Sequence, residues 1–413
     1  MLAPSVSAAE TRAIESKGSS LIWNIDVLTA NKRNMHKDKS VSEAINTIRE
    51  EADKALRLPP LTVTNKKQLP ASGDPHDYFS VGPYWWPDNS KPDGLPWVRQ
   101  DGQVNPTFRY NQADNVLFKT LVQRIQALAY SYFYTDRTQY AAQAIKLLRV
   151  WFIDAETRMN PNLNYAQSIP GRTDGRGIGI IDFRSLVYLL DVLPLLQAQM
   201  TEVEQQALQQ WLQDFLDWLK HSANGQDEAA MHNNHGSFYD LIVTSVAWYL
   251  DDHQLIKETA SHTRQRILAQ IQSDGKQPHE LVRTRPFHYS TFNLKALFGV
   301  ARVASRIGVD LWQTSDREQT AASARMLIAY QYLIDNIDNS RQWQGSQEAK
   351  PALKEMVSLA YQAKLIYQDN RFFELLGNMP EDVLQQVQQC RLVFTAAYTP
   401  MASQQTANPF CDY

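Results

Sequence analysis

The apolar residues of this chain recur with helical spacing from Asp114 almost to the C-terminus, and this pattern constrains the fold more than any other feature. Ala141, Ile145, Leu148 and Phe152 are one example, because positions three and four apart lie on one face of an α-helix. Convincing strand alternation is almost absent. Segments with the helical pattern lie near residues 21–56, 114–133, 180–196, 208–219, 237–251, 254–272, 290–306, 320–336 and 350–367. The sequence therefore predicts an all-α protein.

Short polar turns separate these segments, so that consecutive helices pair. Stacked helical hairpins of this kind build either a solenoid or an α/α toroid. We expect an incomplete α/α toroid, or barrel, of stacked helical hairpins with long irregular loops on one face. This fold lets a long chain form one domain, which we place at residues 21–413 after a flexible leader at residues 1–20.

Composition and charge argue against several function classes. The chain has 413 residues and a formal net charge of −3, which does not indicate a nucleic-acid surface. No run of about 18 apolar residues occurs, so no membrane span is expected. Residues 1–17 lack the apolar core of a secretory signal, so the protein is either cytosolic or has lost its signal peptide. Cys390 and Cys411 could form one disulfide or be two free thiols.

Three polar, ring-rich segments interrupt the helices. Residues 57–112 have no helical period and predict a long irregular loop or a few short extended pieces, which is typical of a functional segment. Residues 161–182 form a glycine-rich loop that carries Gln167, Arg172 and Arg176. No strand is predicted before its Gly-x-Gly-x-Gly run, so the nucleotide signal is weak. Residues 277–294 form the third interruption.

A fourth polar group stands at the predicted start of a helix. Residues 232–240, with the sequence HNNHGSFYD, precede an apolar periodic run, and the helix should begin near Gly236 or Ser237. Free N–H groups at a helix N-terminus favour a bound anion. The alternative is an ordinary capped helix start with solvated histidines.

Two familiar chemistries fit these segments poorly. Paired carboxylic acids, which an ordinary glycosidase requires, are missing, since Glu280 is the only acid of the third segment and Asp240 could point back into its helix. Zinc would need three or four ligands. The available histidines, at positions 232, 235, 279 and 288, fit no standard zinc motif, and no cysteine lies nearby.

Asn, His, Arg and Tyr together fit β-elimination on a uronic acid. Donors must neutralise the uronate carboxylate and stabilise the enolate-like dianion that forms when the C5 proton leaves. A Tyr or His removes that proton, and an acid protonates the departing O4. A nearby Arg would lower the pKa of such a Tyr. In mannuronate and glucuronate H5 and O4 leave from the same side, so one Tyr could do both, whereas guluronate needs two residues.

Four blocks, in order, resemble the alginate lyase-like superfamily of polysaccharide lyases. They read HDYFSVGPYWWPDNSKPDGLPW (76–97), QSIPGRTDGRGIGIID (167–182), NNHGSFYD (233–240) and ELVRT with HYSTFNL (280–294), and the resemblance spans roughly residues 70–300. It implies an α/α toroid and metal-independent β-elimination on polyuronates. By motif match, it also implies that Asn234, His235 and Arg283 neutralise the carboxylate and that Tyr289 is the base and acid.

The same blocks suggest residues that bind the substrate beside these four. They are Tyr84, Trp85, Lys91, Gln167, Arg172, Asn233, Arg285 and His288. For the aromatic block around Trp85 the alternative is a packed plug at the toroid entrance. For Gln167 and Arg172 it is hydrogen bonding within their loop. Because Arg285 adjoins Arg283, and His288 adjoins Tyr289, the roles could also shift by one residue.

We therefore predict a polysaccharide lyase that cleaves β-1,4-linked polyuronate, with mannuronate-rich alginate preferred and glucuronan as the alternative. Its partner is an anionic uronic-acid polysaccharide, and no cofactor, metal, nucleic acid or membrane is expected. His235 could instead act as base on guluronate. We expect a periplasmic or secreted protein, with its signal peptide absent from this sequence. The rival classes are an inverting α/α-barrel glycoside hydrolase using Asp182 and Glu280, and a non-catalytic polysaccharide-binding toroid.

Overall fold

Helices dominate the structure, a computed structural model that describes residues 25–106, 113–316, 323–337 and 353–394. The first seven are α1 (Ile25–Asn34), α2 (Lys39–Arg57), α3 (Asp114–Thr135), α4 (Thr138–Leu148), α5 (Leu186–Leu196), α6 (Glu202–His221) and α7 (Ala223–Ala229). The others are α8 (Asn234–Tyr249), α9 (His253–Gln270), α10 (Pro278–Leu281), α11 (Pro286–Arg306), α12 (Arg325–Asp335), α13 (Val357–Tyr367), α14 (Arg371–Glu374) and α15 (Glu381–Phe394). The predicted all-α class is confirmed. The leader at 1–20 and Cys411 lie outside the described residues.

Consecutive helices pack as neighbours around one continuous apolar cluster. Helix α3 contacts α2, α4 and α5, and α8 packs along α9 and α11. The last described helix returns to the first two, since Asn31 donates to the backbone oxygen of Leu392 at 3.0 Å and Arg391 lies 2.8 Å from Asp38. Buried apolar side chains run through the whole set, from Leu28 to Phe394. No helix in the described ranges is long and apolar enough to cross a membrane.

The predicted interruption at 57–112 contains the short extended pieces that were expected. Strand β1 (Phe79–Val81) pairs in parallel with β4 (Tyr165–Ser168). Strands β2 (Trp85–Trp86) and β3 (Val98–Arg99) form an antiparallel hairpin, and we call residues 82–106, which include this hairpin and its flanks, the hairpin segment. The prediction that no strand precedes the glycine run of 175–179 was wrong, because β4 does. It is four residues long and joins a two-stranded sheet, too short for its alternation to be visible in the sequence.

Two helix starts differ from the predicted ones. The segment at 180–196 begins as a 3-10 helix at Gly177–Ser185 and becomes α-helical only at α5. Helix α8 begins at Asn234, before the predicted Gly236 or Ser237. Its extra residues are held by polar side chains, because Asn233 Oδ1 accepts from the His235 N–H at 3.1 Å and Glu280 Oε1 accepts from the Asn234 N–H at 2.6 Å. The spacing of apolar residues cannot reveal such polar N-caps.

Candidate active site

The N-terminus of α8 does hold a carboxyl group, and it is a side chain of the protein itself. Glu280, on α10, accepts from the Asn234 N–H and, through Oε2, from Asn234 Nδ2 at 2.8 Å. Both residues are almost fully buried. Burial raises the pKa of Glu280, and the hydrogen bonds from Asn234 oppose that rise. The pair fixes the Asn234 side chain and leaves one of the two Nδ2 hydrogens for a ligand.

His235 is oriented by a second buried acid. Its Nδ1 lies 2.8 Å from Glu228 Oε1, on α7, and the Glu228 side chain is 1% exposed. Burial raises the pKa of Glu228, while the charge and hydrogen bond of His235 lower it. Because Nδ1 faces this carboxyl, Nε2 is the ring nitrogen that can meet a substrate, either accepting or donating a proton.

Arg283 and Tyr289 form a stacked pair at the start of α11. The Arg283 guanidinium carbon lies 3.8 Å from the centroid of the Tyr289 ring, within the range of a cation–π contact. Arg283 is three residues beyond Glu280, and its backbone N–H donates to the Glu280 carbonyl at 3.1 Å. The Asn234–Glu280 contact therefore links the first turn of α8 to the loop that carries Arg283.

The hairpin segment contributes a second hydroxyl to this pair. The Tyr84 hydroxyl lies 2.6 Å from the Tyr289 hydroxyl. Burial raises the pKa of Tyr289 well above its usual range, and Tyr84 adds to the rise, whereas Arg283 opposes it. The expectation that a nearby Arg lowers the pKa of this Tyr holds for the contribution of Arg283 but is wrong for the net direction, because burial outweighs one guanidinium.

Trp85, on β2 of the hairpin segment, contacts the glycine-rich loop. Its half-buried ring has the guanidinium carbons of Arg172 and Arg176 at 5.3 and 5.9 Å from its centroid. Arg172 also donates from Nε to the Trp97 carbonyl at 2.8 Å. Gln167 is buried. Its Nε2 donates to Asp182 Oδ1 at 2.9 Å, and its Oε1 accepts from Arg176 Nη2 at 2.9 Å. Hydrogen bonding within the loop is thus present for the Gln167 side chain, whereas the Arg172 side chain bonds to the hairpin segment. A direct contact of Gln167 or Arg172 with substrate stays a prediction.

The remaining predicted binding residues differ in how close they lie to the four residues predicted to be catalytic. Lys91 is exposed in the turn of the hairpin segment, with Nζ 3.9 Å from Asp88. Asn233 is the N-cap of α8, and Arg285 is half-buried directly before α11. His288 stands edge-on to Tyr289 at 5.1 Å between centroids, and its Nδ1 lies 2.7 Å from Glu355 Oε2. His288 and Asn233 are therefore next to the four residues predicted to be catalytic.

The acids of the rival glycosidase hypothesis are both engaged inside the protein. Asp182 accepts from Ser80 at 2.6 Å and from Gln167, and Glu280 is held by Asn234. Among the described residues, no three His, Cys, Asp or Glu side chains are grouped so as to hold a metal ion. His232 and His279 are exposed and stack at 6.3 Å between centroids.

Sequence reasoning missed three residues that contact the site: Asp101, Glu228 and Glu355. Arg176 was noted in its loop but not chosen as a binding residue. Glu228 stands seven residues before His235, near the end of the preceding helix α7, and no short motif links the two. Asp101 and Glu355 are 182 and 67 positions from their partners Arg283 and His288. Only folding brings these acids close to their partners Arg283, His235 and His288. The sequence shows no more than that some of the acids lie near a predicted loop.

Comparison with known proteins decides the family. A family model described as alginate lyase matches residues 62–343. The chain belongs to the alginate lyase family. A crystal structure of an alginate lyase from Bacteroides ovatus matches with a TM-score of 0.83 and 30% sequence identity, over 91% of this chain and 99% of that one. A comparison with curated proteins finds no match.

More distant alginate lyases share the fold. Alginate lyase A1-III from Sphingomonas species A1 matches with a TM-score of 0.52 and 16% identity, over 86% of this chain and 95% of that one. A histidine-to-alanine variant of A1-III complexed with a tetrasaccharide matches at 0.57 and 15%, over 93% and 96%. The predicted α/α toroid is confirmed. This alginate lyase family member is a polysaccharide lyase, and the family implies an anionic polysaccharide as its substrate.

Proposed function

We propose that the protein cleaves β-1,4-linked polyuronate, with mannuronate-rich alginate as the preferred polymer, by metal-independent β-elimination. The observation that carries the proposal is the stacking of Arg283 on Tyr289 at 3.8 Å, beside an Asn234 side chain fixed by Glu280. One cation, one amide donor and one phenol are what carboxylate neutralisation and proton transfer require.

Neutralisation of the uronate carboxylate falls to Arg283, the second Nδ2 hydrogen of Asn234 and Nε2 of His235. These groups supply positive charge and hydrogen-bond donors where the enolate-like dianion develops. The mechanism therefore assigns this charge to side chains and not to a divalent cation. Glu228 and Glu280 hold two of the three donors in place.

Proton transfer falls to Tyr289. Its phenolate takes the C5 proton, and the resulting phenol gives a proton to O4 as the glycosidic C4–O bond breaks, leaving a 4,5-unsaturated sugar on the new non-reducing end. One residue serves both steps only when H5 and O4 leave from the same side, which favours mannuronate, or glucuronate, over guluronate. Because the pKa of Tyr289 is raised, activity should increase with pH into the alkaline range.

The test is the ultraviolet absorbance of the unsaturated product, recorded on polymannuronate, polyguluronate and glucuronan in parallel, with and without EDTA. We expect the fastest rise on polymannuronate and the same rate with the chelator. A fastest rise on glucuronan would replace the substrate and keep the mechanism. Activity that EDTA removes and zinc restores would contradict the metal-independent mechanism, and no rise on any polymer would contradict the proposed function.

A further inference from the structure

A carboxylate of the hairpin segment contacts Arg283, the residue that the proposed function assigns to the uronate carboxylate of the substrate. Asp101, two residues after β3, accepts from Arg283 Nη2 at 3.0 Å through Oδ1 and from Nε at 3.3 Å through Oδ2. This is the side-on, two-bond contact by which a guanidinium binds any carboxylate. The two side chains are only 15% and 24% exposed, so solvent screens their attraction weakly.

Asp101 also binds a second arginine. Arg99 Nη2 donates to the same Oδ1 at 2.8 Å, and the Arg99 side chain is 55% exposed. The two guanidinium groups thus both donate to one carboxylate oxygen. Thr284 Oγ1 completes the contacts, at 3.3 Å from Oδ2. Burial raises the pKa of Asp101, but its bonds to Arg283 and Arg99 lower it further, so the group is an anion at neutral pH.

We infer that Asp101 is a stand-in for the uronate carboxylate, and that the substrate displaces it from Arg283 and takes Arg99 as a second cationic partner. The inference rests on the proposed role of Arg283. One face of the guanidinium is covered by the Tyr289 ring, and one edge is taken by Asp101. The edge that Asp101 occupies is therefore the one at which a carboxylate is already shown to fit, with a second arginine beside it.

Asp101 also contributes to the charge that acts on Tyr289 in the free enzyme. The titratable or charged groups that face this phenol are Tyr84, Arg283, Asp101 and His288. Asp101 raises the pKa of Tyr289 and Arg283 lowers it. When Asp101 leaves, the positive charge of Arg283 is shared with the substrate carboxylate instead. Asp101 thus sets both the apparent affinity for the polymer and the pH at which the base works.

Asp101→Asn tests the inference, because it removes the charge and keeps the size and the ability to accept from Thr284. We expect KM for polymannuronate to fall about three- to tenfold, the effect of removing one competing charge from a partly buried pair. The rising limb of the kcat/KM profile should also move to lower pH. Asp101→Glu keeps the carboxylate and should therefore behave as the wild type does. Asp93→Asn is the matched control, since Asp93 bonds to Leu95 within the same hairpin, and it should change neither quantity.

A binding measurement separates this inference from the proposed function. In the Tyr289→Phe background, calorimetry with a mannuronate tetrasaccharide should show tighter binding when Asp101→Asn is added, by the same factor. Asp101→Ala, measured in parallel, should change the affinity in the same direction. Unchanged or weaker binding in both Asp101 variants would overturn the inference while leaving the lyase assignment intact. Absence of unsaturated product from the wild type on every polyuronate would instead overturn the proposed function.

Discussion

The hydroxyl oxygens of Tyr84 and Tyr289 lie 2.6 Å apart, although the two residues are separated by 205 positions in the sequence. The contact joins the hairpin segment to the first turn of α11. It gives the proposed base a hydrogen-bond partner on a loop that reaches it from a distant part of the chain. The aromatic block around Tyr84 is therefore part of the candidate site, and is not only a plug that packs near it.

Tyr84→Phe should move the rising limb of the pH–rate profile to lower pH. Tyr84 adds to the rise in the pKa of Tyr289 that burial causes, so its removal makes the phenolate easier to form. The measurement is kcat/KM on the preferred polymer across neutral and alkaline pH. Trp86→Phe, on the same strand but bonded to Gln103, serves as control. A limb that stays in place would contradict the assignment of Tyr289 as the titrating base, and a limb that moves to higher pH would show that the Tyr84 hydroxyl stabilises the phenolate instead.

Arg283→Lys should lower kcat by about 10²–10³-fold, the usual effect of losing one donor to a developing oxyanion. Lysine keeps the charge but cannot make the two-bond contact or stack flat on Tyr289. Stopped-flow product formation at saturating polymer measures the loss. Arg285→Lys is the neighbouring comparison. If it were the more damaging of the two substitutions, the roles of the adjacent arginines would have to be exchanged.

Glu228→Gln should lower kcat by roughly 10²-fold, because His235 then loses the carboxyl group that orients its ring. The expected change is in kcat more than in KM, since Glu228 is buried behind His235. Asp227→Asn, at an exposed neighbouring position, controls for a general change of charge on α7. Equal activity of Glu228→Gln and wild type would show that His235 works without this partner.

Gly236→Ala should destabilise the protein by about 1–3 kcal/mol, despite the better helix propensity of alanine. A Cβ atom at Gly236 would clash with Arg266 Nη1 and with the Met231 carbonyl oxygen. Arg266 is buried and bonded to Asp240 at 2.9 Å, so it cannot easily move. Thermal unfolding measures the effect, and Gly377→Ala, where no atom lies within 4 Å, should be nearly neutral. A stabilised Gly236→Ala protein would mean that the first turn of α8 tolerates a shift.

The fold followed from the sequence because helical periodicity is a local signal that most segments carry strongly. Periodicity placed α3, α8 and α11 within a few residues of their observed ranges. Helical periodicity failed at β4, which is only four residues long, and at the start of α8, where the first N–H groups are bound by two polar side chains. The Asn234–His235 pair and the Arg283–Tyr289 pair were found through their motifs and are near one another in the folded chain.

The acids around these four residues could not be predicted, for a physical reason. Glu228, Glu280 and Asp101 act through hydrogen bonds or ion pairs on partners that tertiary packing brings close, and burial determines how strongly each acts. Glu280 was seen in the sequence but weighed as a glycosidase acid, while the structure ties it to Asn234. The net direction of the Tyr289 pKa was likewise hidden, because it depends on how deeply α11 and the hairpin segment bury the phenol.

Tyr289→Phe tests the central claim most directly. Its affinity for a mannuronate tetrasaccharide and its production of unsaturated sugar are measured on the same sample. The account predicts that the variant binds the tetrasaccharide about as well as the wild type does, and that product formation falls by at least about 10³-fold, because base and acid are lost together. A variant that binds normally and still forms unsaturated product at a rate near that of the wild type would contradict the account.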